Sequence, residues 1–156
     1  MPLRDVKKSL TVTVCGENNG FPATAPYSFP KYIRKNFSER LLKPYGIDAW
    51  WQDATEPEND DLVGRRVNNQ TIPGEVFRNV YPLLVSKTVY EGCRTDDPAR
   101  RHMIFTRSAF PGIQRYGSVF WSGDVGNDWE TLRRQFVSGL GLVSTGLPWW
   151  TYDAGG

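Results

Sequence analysis

The sequence is poor in the residues on which much metal and nucleophilic chemistry depends. Of its 156 residues, only His102 is a histidine and only Cys15 and Cys93 are cysteines. Neither cysteine has a second Cys or a His at metal-ligand spacing, so no metal site and no disulfide framework is signalled. His102 follows Arg100 and Arg101 and precedes the strand-like Met103, Ile104 and Phe105, which reads as a surface or strand-edge position. Sites that need two histidines are excluded outright. A dominant charge is lacking as well. With 19 basic and 17 acidic side chains, the net charge of +2 argues against a nucleic-acid or membrane surface as partner. No stretch approaches the roughly 18 consecutive apolar residues of a membrane span. The first eight residues lack the apolar segment of a secretory signal. Compartment and oligomeric state stay open.

What the chain does have is aromatic rings: 13% of its residues are Phe, Trp or Tyr, and six are Trp. Trp beside Asp, Arg and Gln suits sugar recognition, in which ring faces stack on C–H faces while polar groups bind hydroxyls. The competing reading places these rings in the core. An uncharged oligosaccharide or glycoside agrees with the balanced charge.

Along the chain, residues 1–27 contain a possible strand at 10–14 and then a Gly-, Pro- and Asn-rich stretch, and no role is assigned to them. Apolar residues at three- and four-residue steps predict an amphipathic helix over 29–43, ended by Pro44 and Gly46. A short buried strand follows at 46–51, leading into Asp53. The polar segment 56–69 reads as a long loop. A second helix is expected over 74–91, with Pro82 forcing a kink or a late start. Strands are expected at 103–106, ending on Arg107, at 118–121, ending near Asp124, and at 147–150, followed by Asp153. A third helix from Asp128 to about Gly139 has Asn127 as its expected cap. Trp129, Leu132, Phe136, Val137 and Leu140 form its expected buried stripe.

This alternation of helices and strands predicts α/β architecture with a parallel sheet. The strand ends would then carry Asp53, Arg107, Asp124 and Asp153 to one rim, where catalytic groups of such folds collect. A closed eight-stranded barrel needs about 250 residues, and only about four strands are visible. The fold class expected is therefore a section of a (β/α)8 TIM barrel. Asp53 and Asp124 would come from alternate strands, separated by the one that carries Arg107. Paired carboxyls about 5–5.5 Å apart are what cleavage of a glycosidic bond through a covalent intermediate requires, with no cofactor or metal. A strand-end Asp can equally be a turn former or helix cap, and that reading stays open on spacing alone.

Five blocks carry a more specific signal. They are GIDAWWQDATEP at 46–57, YEG at 90–92, TRSAFPGIQRY at 106–116, WSGD at 121–124 and GLPWWTYDAGG at 146–156. In this order they resemble glycoside hydrolase family 31. The resemblance covers roughly residues 30–156, which assigns 28–156 to a partial catalytic barrel domain spanning about strands four to seven and leaves 1–27 unassigned. It implies a retaining α-glycosidase with Asp53 as nucleophile and Asp124 as general acid/base. It also implies that Arg107 and Asp153 bind sugar hydroxyls and that Trp51 and Trp121 line the cleaved subsite. The WWQDATEP form is similar to the α-xylosidase branch, with α-glucosidase next. A non-catalytic sugar-binding protein is the alternative. Because family members draw further pocket residues from other strands, the chain by itself is expected to be inactive.

Overall fold

The computed structural model describes residues 9–13, 39–40, 43–56, 63–64, 66–67 and 71–155. In chain order the elements are β1 (Ser9–Thr13), α1 (Lys43–Tyr45), β2 (Ala49–Asp53), β3 (Arg66–Val67), β4 (Ile72–Pro73), α2 (Gly74–Arg78) and α3 (Tyr81–Asp96). They continue with β5 (Ile104–Thr106), a 3-10 turn (Ile113–Tyr116), β6 (Ser118–Trp121), α4 (Trp129–Ser144) and β7 (Trp150–Thr151). The helix expected over 29–43 lies almost wholly outside the described residues.

Five strands pair in parallel in the order β1, β2, β5, β6, β7, while β3 and β4 form a separate antiparallel ribbon. The sheet therefore has one strand more than the four that were expected. Its β1 is the strand anticipated near residues 10–14, shifted by one residue, and it pairs along the whole of β2 from Ser9 beside Ala49 to Thr13 beside Asp53. The ribbon interrupts the segment expected to be loop throughout. A two-residue pairing leaves too little periodicity to detect in sequence.

Register sorts the side chains onto two faces. Trp50 stands beside Ile104 and Ile104 beside Ser118, while Gln52 stands beside Thr106 and Thr106 beside Phe120. All six of these positions are buried, and they meet the helices. Strand alternation turns Trp51, Asp53, Phe105, Arg107 and Trp121 to the other face. Strand β2 is thus covered on one face only, not buried throughout as expected, and Trp51 is 37% exposed.

On the helix side, α3 buries Pro82, Val85, Ser86, Val89 and Cys93, a stripe at three- and four-residue steps that lies on β2. The indole N–H of Trp50 points to Cys93 Sγ at 3.1 Å, and Ser86 Oγ donates to Gln52 Oε1 at 3.2 Å. Burial pushes the Cys93 thiol above its ordinary pKa, which keeps it protonated and unreactive. The expected single helix over 74–91 is two helices, broken at Asn79 and Val80. Pro82 lies in the first turn of α3, where its missing N–H costs no intrahelical bond. A further buried cluster of Ile113, Phe120 and Leu147 is packed by Leu83, Ala109, Tyr116, Leu142 and Trp150.

Helix α4 departs from expectation in two respects. Its cap is Asp128, which accepts from Thr131 N at 2.9 Å, and not Asn127. The expected buried stripe is largely exposed, with Trp129 86%, Phe136 56%, Val137 61% and Leu140 72% accessible. The buried residue of α4 is Gly139, which lies against the Trp150 ring. The helix seats on the sheet through its smallest side chain, and the apolar period could not distinguish that face from the bulkier one beside it. No helix among the described residues is long and apolar enough to cross a membrane.

Candidate active site

Because β2, β5, β6 and β7 run parallel, their C-terminal ends share one rim. Asp53 is the last residue of β2, Arg107 follows β5 directly, Asp124 lies three residues beyond β6 and Asp153 two beyond β7. Strand β5 separates β2 from β6, so the two acids do lie on alternate strands.

The structure brings Asp53 and Arg107 together. Arg107 Nη1 is 3.3 Å from Asp53 Oδ1, and the two side chains are 14% and 31% exposed. The same Oδ1 accepts the Ala54 backbone N–H at 2.8 Å. Ala54 itself turns into the left-handed region at φ 52, a conformation that disfavours any residue with a Cβ. Strain of this kind next to a strand-end carboxylate is a recurrent feature of functional sites. Both of these contacts fall on Oδ1, and Oδ2 is the oxygen they leave open.

Sequence reasoning missed a second acid. Glu56 Oε1 accepts from Arg107 Nη2 in a close ion pair, so one guanidinium bridges two carboxylates. The turn that carries Glu56 is fixed by Thr55, which is fully buried. Its hydroxyl hydrogen-bonds with Thr106 Oγ1 at 3.0 Å and with Ser108 Oγ at 2.7 Å, the residues on either side of Arg107. Glu56 stood inside the quoted 46–57 block, but nothing in the sequence paired it with a residue so distant along the chain.

The aromatic side of the site also forms. Trp51 and Trp121 meet edge to face with ring centroids 5.7 Å apart, and Trp121 packs on Phe105 at 4.7 Å. Trp121 is buried and Trp51 is the ring that solvent reaches. Asp124 and Asp153 are exposed, and neither is joined to Arg107. A cavity of about 320 Å³ is lined by Arg107, Trp121 and Ser122 together with Gln135, Leu142 and Trp150. His102 lies away from this rim, before β5, and its Nε2 donates to the Asp97 carbonyl at 2.9 Å. Among the described residues, no group of His, Cys, Asp and Glu is arranged to hold a metal ion.

Comparison with known proteins gives the family. Residues 7–156 match the glycosyl hydrolases family 31 TIM-barrel domain. An α-xylosidase of Saccharolobus solfataricus is 47% identical over 116 residues, covering 71% of this chain and 16% of that enzyme. A family 31 glucosidase from Pseudescherichia vulneris is 31% identical over 144 residues, covering 90% of this chain and 26% of that protein. Among solved structures, the α-xylosidase of Xanthomonas citri superposes with a TM-score of 0.70 at 31% identity, covering 87% of this chain and 15% of that one. An α-xylosidase from a soil metagenome, solved with xylose, gives 0.68 at 31%, with 85% and 19% covered. The chain thus spans between about a seventh and a quarter of these relatives. It belongs to glycoside hydrolase family 31, and its parallel sheet with packed helices is a section of that family's (β/α)8 barrel.

Proposed function

We propose that the protein carrying this chain is a retaining α-glycosidase, an α-xylosidase in preference to an α-glucosidase. The observation that carries the proposal is the site's order along the rim. Asp53 ends β2 and Asp124 follows β6, its alternate in the sheet, and Arg107, paired with Asp53 at 3.3 Å, follows the strand between them. The preference for xylosides is supported by the similarity to α-xylosidases of 47% in sequence and 31% in a solved structure.

In this reading Asp53 Oδ2 attacks the anomeric carbon while Asp124 donates its proton to the departing glycosidic oxygen. The C–O bond to the leaving group breaks as the glycosyl ester forms. Asp124, now a carboxylate, then takes a proton from water, whose oxygen attacks the same carbon and releases Asp53. Arg107 and Asp153 bind sugar hydroxyls, Trp51 offers its face to the ring, and Trp121 backs it. The donors on Asp53 Oδ1 fix the carboxylate before the sugar arrives, which is where positioning contributes to rate.

Trapping tests the assignment. The full-length protein, incubated with a 5-fluoro-α-xylosyl fluoride, should accumulate a covalent adduct that peptide mapping places on Asp53. A label on Asp124, or none with either the xylosyl or the glucosyl reagent, would overturn it.

A further inference from the structure

We propose that Glu56 is a positioning residue: it holds Arg107 in place while Asp53 changes charge during the reaction. This rests on the reading of the site as a glycosidase centre and assigns a function to a residue outside the acid pair.

The geometry distinguishes the two contacts of Arg107. Its Nη1 reaches Asp53 at 3.3 Å, a long contact for a charge-assisted bond, whereas Nη2 makes the close pair with Glu56. Glu56 is an anchor built into the fold. Its backbone is tied to β5 by the Thr55 hydroxyl, bonded to Thr106 and Ser108, so anchor and guanidinium are fixed to the same strand end. The Arg107 stem also packs against Gly123.

Charge gives the arrangement its purpose. When Asp53 attacks, its carboxylate becomes a neutral ester, and the largely buried Arg107 cation loses the counter-charge that Asp53 supplied. Such a cation is costly and would move towards water. With Glu56 beside it, the guanidinium keeps one carboxylate in both states of Asp53 and stays against the sugar through the second half of the reaction. Glu56 also restrains Arg107 from closing on Asp53 before substrate binds.

The test is a double-mutant cycle in the full-length protein on an aryl α-xyloside, with kcat and KM measured separately. Glu56→Gln is expected to lower kcat/KM by about 10- to 100-fold, with the larger share in kcat. It should also lengthen the reactivation half-time of the 5-fluoro-trapped enzyme. Combined with Arg107→Met, it should add little to the loss caused by Arg107→Met alone, because both remove one unit. Glu56→Asp keeps the charge and should fall between wild type and Glu56→Gln. If Glu56→Gln does not fold, the cycle is run with Glu56→Asp. Additive losses in an active wild-type background, or unchanged reactivation by Glu56→Gln, would overturn the role of Glu56 and leave the glycosidase reading standing. A wild type inactive on both xylosides and glucosides would overturn that reading, and this proposal with it.

Discussion

The Arg107 stem packs closely against Gly123, where there is no side chain to hold it off. A Cβ at Gly123 would stand 3.1 Å from Arg107 Cδ and 3.5 Å from Cγ, and the glycine's φ of +81° is one that other residues rarely adopt. The loop carrying Asp124 therefore crosses directly over the stem of the arginine that pairs with Asp53 and Glu56. Gly123→Ala combines a backbone cost of about 1–2 kcal/mol with pressure on that stem. The expected outcome is a fall in kcat/KM of about tenfold or more with the protein still folded, checked by steady-state kinetics beside a thermal melt. Unchanged kinetics would show that Arg107 accommodates the methyl without leaving its place.

Asp124 is exposed, three residues beyond β6. If it is the acid/base, Asp124→Ala should depress turnover of glycosides with poor leaving groups by orders of magnitude more than that of aryl glycosides with good ones. Added azide should restore turnover by attacking the glycosyl ester. Equal losses on both substrate types, with no azide effect, would assign Asp124 to binding.

The strand ends were legible because each ends on a polar residue after an apolar run, and Asp53, Arg107, Asp124 and Asp153 follow strands of the parallel sheet as the sequence order implies. The alternate-strand placement of the acids followed from the strand that carries Arg107 between them. What stayed hidden depends on contacts distant in sequence. The Glu56 pairing joins positions 51 residues apart, and the left-handed turn at Ala54 is carried by a residue that gives no turn signal. The inward face of α4 was misread for a related reason. Periodicity reports where bulky apolar residues recur, but the sheet accepts this helix at Gly139, where bulk is excluded by Trp150.

The cap of α4 makes that helix sensitive to acid. The Thr131 hydroxyl, followed by the Thr131 backbone N–H, holds the Asp128 carboxyl below its ordinary value of 3.8. A carboxyl whose pKa is depressed on folding stabilises the fold fully above its unfolded value and loses that contribution as pH falls through the folded value. The first turn of α4 should therefore exchange its amide hydrogens faster below about pH 4, relative to the intrinsic rate at each pH. Asp128→Ala should show fast exchange there even at neutral pH. Asp128→Asn, which keeps an acceptor oxygen, should restore most of the protection and remove its dependence on acid.

Gly139→Ala tests how the helix layer supports the site. A Cβ there would lie 2.3 Å from Trp150 Cζ3 and 2.6 Å from Cε3, too close for either atom to remain where it is. Because Trp150 sits on β7 and packs on the cluster of Ile113, Phe120 and Leu147, the strain must move either the helix or the ring. Overpacking of this kind costs about 1–3 kcal/mol, which a denaturant titration of the variant should register. Trp150 also lines the cavity beside Arg107 and Trp121, so a displaced ring reaches the rim. KM for the glycoside should rise together with the loss of stability. Trp150→Phe removes the ring atoms in conflict and, in the Gly139→Ala background, should recover part of the lost stability. A double variant less stable than Gly139→Ala alone would show that α4 moves and the indole does not.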